Sequence, residues 1–166
     1  MDTTRPPAQG PAPAPGQIRQ VALPDGTTGQ VVICSFTEAA AQRHGVVGTV
    51  PVSEQLTMAT DWDLRVAAPD STLDRPFLAA AWHCLSVCHS DLGPCIGTLH
   101  PATWAALRRL YWANVGSAPR VPAEVASLVG PPLHTNRDPR YAFQVAELQR
   151  WEPVAERAWC QVLRAP

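Results

Sequence analysis

The chain has 166 residues, 46% of them hydrophobic, with a formal net charge of -1, which is enough for one domain with a core of its own. Its longest apolar run, Phe77 to Trp82, is too short for a membrane-spanning helix. The near-neutral charge argues against wholesale coating of nucleic acid and leaves room for a local basic patch. All 13 basic residues are arginine, so every cation presents a planar fork suited to phosphate.

Residues 1–15 read as an extended, Pro-rich tail, and no secretory leader is expected. A strand is expected from Gln17 to Leu23, a turn at Pro24-Asp25-Gly26-Thr27, and a strand buried on both faces from Gly29 to Ser35. Thr37 to Arg43 suits one or two helical turns. Val46 to Ser53 makes a third strand, with Pro51 marking its end or a bulge. Asp61 to Ala67 gives a fourth, Phe77 to His89 a long fifth, and Cys95 to Leu99 a short sixth.

At His100 the period changes. Pro101 suits a first helical turn, Trp104, Leu107, Leu110 and Tyr111 recur at spacings of three and four, and Gly116 is a stop. A Pro- and Gly-rich stretch over 117–139 holds a short helix at Ala123 to Val129. Tyr141 to Trp151 is helical, and Pro153 restarts or kinks a final helix, Val154 to Leu163. The fold class is α+β: a small, mostly antiparallel β-barrel capped by one helix, with a helical C-terminal extension. Three segments follow: a tail over 1–15, a barrel over 16–116, and a linker with its extension over 117–166. The extension from Tyr141 to Leu163, rich in aromatic and aliphatic residues, is expected to cover the barrel or a dimer groove.

Cys34, Cys84, Cys88, Cys95 and Cys160 are five in number, and an odd count fits reduced thiols in a cytoplasm. On a strand, the assignment that Pro76 and Asp91 to Pro94 frame better, Cys84 and Cys88 stand about 13 Å apart, too far to share one zinc, and only a helix would bring them to roughly 6 Å. Packed thiols are therefore expected, and no metal or cofactor. Trp62, Trp82 and Trp104 are read as core rather than as platforms for bases. Asp61 and Asp63, flanking Trp62, are read as a solvated edge.

A glycine-initiated strand, a turn, a buried strand ending in serine, and Val50-Pro51-Val52-Ser53 closing the third strand form a recognisable order. Asp61-Trp62-Asp63-Leu64, Ser71-Thr72-Leu73, Ala81-Trp82-His83, Ser90-Asp91-Leu92-Gly93, Ile96-Gly97-Thr98-Leu99 and a helix continue it. From Gly16 to Val115 this order resembles the MazF/PemK toxin family. The resemblance implies an SH3-like barrel that dimerises and cuts single-stranded RNA without a metal, held silent by a partner antitoxin. It also implies a serine or threonine after the third-strand proline, which Ser53 supplies. The family's Arg-Pro pair before the second buried strand has no counterpart, since Gly29 and Gln30 occupy those positions.

Metal-free cleavage by the RNA's own 2′-hydroxyl needs a base, a donor to the leaving oxygen, and cations for the phosphate. Ser53 is the candidate donor, Arg19 the candidate catalytic cation, and His44 the candidate base or acid. Arg43 and Arg65 are candidate RNA contacts. The alternative class is a non-catalytic binding protein on the same barrel, contacting an antitoxin, nucleic acid or a topoisomerase. A third is an interaction module that recruits partners through its Pro-rich tail.

Overall fold

The computed structural model describes residues 12–35 and 45–164. Among them seven strands form one antiparallel sheet: β1 (Gln17–Ala22), β2 (Thr28–Ser35), β3 (Val46–Ser53), β4 (Asp63–Val66), β5 (Phe77–Ala80), β6 (Leu85–Cys88) and β7 (Leu92–Thr98). The spatial order is β4-β5-β3-β2-β1-β7, with β6 also on β3. The α+β class is confirmed, although β4 and β7 form no ladder and the sheet stays unclosed among the described residues. The helical turns expected over 37–43 lie outside the described residues. Pro13 is buried, so the tail packs onto the domain at its inner end.

The β1–β2 turn forms where proline and glycine placed it. Asp25 Oδ1 accepts from the Thr27 amide at 2.8 Å and hydroxyl at 2.6 Å, and Gly26 takes φ +81°. Every residue of β2 from Val31 to Cys34 is buried, as the continuous apolar run implied. Val32 and Cys34 join one core, with Ile18, Val50, Leu64, Phe77 and the helix residues Leu107 and Leu110. Val31 and Ile33 join the other, with Val21, Val47, Leu85, Val87, Trp151 and Val154. The sheet is thus covered on both faces, by α1 (Pro101–Val115) and by α2 (Pro139–Arg164).

The expected long strand over 77–89 is two strands. Ser53 faces Leu78 while Thr49 faces Leu85, so the chain bulges outward from β3 between the two ladders. The connecting turn has its own bonds: the His83 amide donates to Ala80 O at 3.0 Å, and Asn114 Nδ2 donates to Ala81 O at 2.9 Å. Pro51, lacking an N–H, lies inside β3 near this change of partner.

α2 runs as one helix through Pro153, so the proline does not restart it. A proline there removes a helical hydrogen bond. Burial of Trp151, Val154 and Ala158 holds the segment to the sheet on both sides of it. Asp63 is a correction as well. It is buried rather than solvated, accepting from the Thr60 amide (2.8 Å), the Thr60 hydroxyl (2.6 Å) and Trp82 Nε1 (2.9 Å).

Candidate functional site

Along β3, Val47, Thr49, Pro51 and Ser53 alternate onto the face covered by α2, because Pro51 pairs with Val31 of that core. At the end of the strand Ser53 is half-buried, and its Oγ accepts the Gln55 amide at 3.1 Å. It opens into a cleft of about 280 Å³ whose floor carries Gln30 and whose other wall is α2, through Phe143, Glu147 and Arg150.

One arginine lines this cleft and a second binds two of its lining residues, neither of them singled out from the sequence. Arg150 points in from α2, with Nη1 3.5 Å from Glu147 Oε1 and Nη2 3.4 Å from Thr27 Oγ1. Arg75 arrives at the rim, donating to Gln30 Oε1 at 3.0 Å and pairing with Glu54 at 2.7 Å. The Arg75–Glu54 pair is largely exposed and holds together by about 0–1 kcal/mol. Arg75 carried one signal in the sequence, its place beside the proline opening β5. Arg150 carried none, because its approach depends on a helix packing across more than a hundred intervening residues.

Gly29 explains why the resemblance breaks where it does. A Cβ there would stand 2.5 Å from Cη2 and 2.7 Å from Cζ2 of Trp151, so no side chain fits beneath α2. The indole in turn donates to Glu147 Oε2 at 3.3 Å, which fixes that carboxylate at the cleft wall.

The other expected site residues are dispersed. Arg19 is 4% exposed on β1, donating to Gln17 Oε1 at 3.0 and 3.1 Å and to Gly93 O at 3.2 Å. It is not part of the cleft lining. Arg65 is exposed on β4 and shares the cross-strand row of Ser53, the two flanking Leu78. Two strand spacings put its Cα about 10 Å from that of Ser53. Arg43 and His44 lie outside the described residues.

Trp62 and Trp104 pack against the first core, as expected, and Trp82 stacks on His83 with ring centroids 5.1 Å apart. Burial drives the His83 imidazole down to about 4, keeping it neutral. Burial also pushes up the thiols of Cys34, Cys84 and Cys88. Among the described residues no group of three His, Cys, Asp or Glu side chains is placed to hold a metal. None of the described helices is long and apolar enough to cross a membrane.

No protein-family model matches the chain, and no curated protein matches its sequence. Among solved structures it is similar to the Mycobacterium tuberculosis toxin MazF-mt6, at 18% identity and a TM-score of 0.46, over 58% of this chain and 93% of that one. A second structure, described as an Mtb toxin, has 19% identity and a TM-score of 0.46, covering 58% of this chain and 99% of its own. At these scores neither likeness carries an argument about this chain.

Proposed function

We propose that the chain is a MazF/PemK-like toxin, a metal-independent endoribonuclease acting on single-stranded RNA in the cleft of Ser53. The observation that supports this reading is a serine hydroxyl opening into a cleft that Arg150 lines from one wall, with Arg75 bound to Gln30 and Glu54 of the same lining. In the proposed reaction the ribose 2′-oxygen attacks phosphorus and the 5′-oxygen departs, leaving a 2′,3′-cyclic phosphate and a 5′-hydroxyl. The Ser53 hydroxyl donates to a phosphoryl oxygen, and Arg150 neutralises the charge that develops there. This is the role first sought in Arg19, whose guanidinium is engaged by Gln17 and Gly93. His44 is the proposed base that takes the 2′-hydroxyl proton, and the departing 5′-oxygen takes its proton from solvent. Arg43 and Arg65 are proposed to hold flanking phosphates. The proposal includes a homodimer, a cognate antitoxin and a cytoplasmic setting, with residues 16–116 as the toxin-like unit and 117–166 as its extension.

One observation favours the second reading, a non-catalytic binding protein on the same scaffold. Glu54 and Glu147 bring negative charge into the cleft, and each is paired with one of its arginines. Incubation with a long single-stranded RNA in EDTA separates the two readings. The endoribonuclease reading predicts fragments with cyclic-phosphate ends, and a rate at least ~100-fold lower in Ser53→Ala and Arg150→Ala. Undiminished cutting by both variants would remove the site assignment. RNA binding without cutting would establish the second reading.

A further inference from the structure

α1 carries a surface that the Ser53 cleft does not use. Its buried residues, Ala106, Leu107, Leu110 and Tyr111, face the sheet, leaving Arg108, Arg109 and Trp112 on the outside. Trp112 is 55% exposed, unusual for the largest apolar side chain. Its ring stands edge-on to the buried Tyr111, with centroids 5.1 Å apart and planes at 86°, so the indole is braced from below. Arg108 and Arg109 precede it by four and three residues, the spacings that make neighbours on a helix surface.

The charge here is segregated. From Leu92 to Ala123 the sequence holds no aspartate or glutamate, while Arg108, Arg109 and Arg120 all fall within it. Arg75, Arg140, Arg150 and Arg157 are each paired with a carboxylate. The side chains of Arg108 and Arg109 are exposed and make no ion pair or hydrogen bond among the described residues.

We infer that the Arg108–Arg109–Trp112 ridge is a second binding surface for single-stranded RNA, separate from the Ser53 cleft. A base stacks on the braced indole while the two guanidinium forks take the adjoining phosphates. A duplex offers no exposed base face to the indole. A second copy of the chain whose two-fold axis ran through the arginine pair would set those arginines against their own counterparts. The ridge lies on the α1 face and the cleft beneath α2, so each can fail without the other.

The test is fluorescence anisotropy of a short labelled oligouridylate with the full chain, as a function of salt. Trp112→Ala is expected to weaken binding about tenfold and Trp112→Phe to restore most of it. The Arg108→Gln, Arg109→Gln double variant is expected to lower the log–log salt slope by roughly 0.7 per arginine. Arg137→Gln, an exposed arginine on neither α1 nor the cleft lining, is expected to leave affinity within about twofold of the parent. The inference is overturned if the ridge variants bind like the parent, if the parent does not bind, or if Trp112→Ala only turns a dimer into monomers. RNA cutting abolished by Ser53→Ala, alongside normal affinity in the ridge variants, would overturn the ridge and leave the cleft standing.

Discussion

Trp151 occupies the volume that a side chain at position 29 would fill, and that contact sets how the cleft can be built. Gly29→Ala is expected to cost about 1–3 kcal/mol of stability, because a methyl there must displace a close-packed indole. Chemical denaturation reads the cost directly, and an unchanged midpoint would mean that the indole does not lie there. His83 makes a second residue-scale prediction. Its Nδ1 is buried without a partner, and its folded pKa of about 4 lies below the unfolded value of 6.5. Its contribution is therefore complete above pH ~6.5 and is lost as the pH falls toward 4, by up to about 3 kcal/mol. Asp63 opposes this trend. Desolvation raises its folded pKa despite the bonds from Thr60 and Trp82, so ionisation costs stability that returns as acid protonates it. The difference between the parent and His83→Phe, followed by thermal melting across this range, isolates the histidine. Parallel curves would contradict the assignment.

At the scale of elements, α2 is held by one side chain more than by any other. Trp151 is 1% exposed between β1, β2 and β6 residues, and Trp151→Ala is expected to cost about 3–5 kcal/mol in chemical denaturation. A loss below ~1 kcal/mol would show that α2 is only loosely applied to the sheet. Helix α1 was legible from Pro101 to its stop at Gly116, because its apolar spacing, first-turn proline and terminal glycine are all local signals. Strands β1 to β3 were legible for the same reason, each being framed by glycine, proline or a turn. The split between β5 and β6 was not. Phe77 to His89 reads as one apolar run, and the break is imposed by a register that only β3 defines. The burial of Asp63 was hidden too, since its partner Trp82 lies 19 residues away across a strand pair. That β3 ends at Ser53 was legible from its proline-framed strand, whereas a role for its hydroxyl came only from the resemblance. Arg75 and Arg150 depend on packing that no sequence window contains.

Over the whole molecule, charge and architecture divide the surface in two. One face of the sheet lies under α2, where the Ser53 cleft mixes arginine with glutamate; the other lies under α1, whose exterior carries arginine alone. On the proposed reading, a small acidic, partly disordered protein encoded beside this chain would be the antitoxin, binding it and suppressing its RNA cutting. The account rests on RNA entering beneath α2 against Ser53. Amide chemical-shift mapping of the isotopically labelled full chain, titrated with an oligonucleotide that carries 2′-fluoro groups and so resists cleavage, tests this most directly. The account predicts the largest shifts at Gly29, Gln30, Ser53, Gln55 and Arg150, with a second set on α1. A titration that saturates while those five amides stay in place would contradict it.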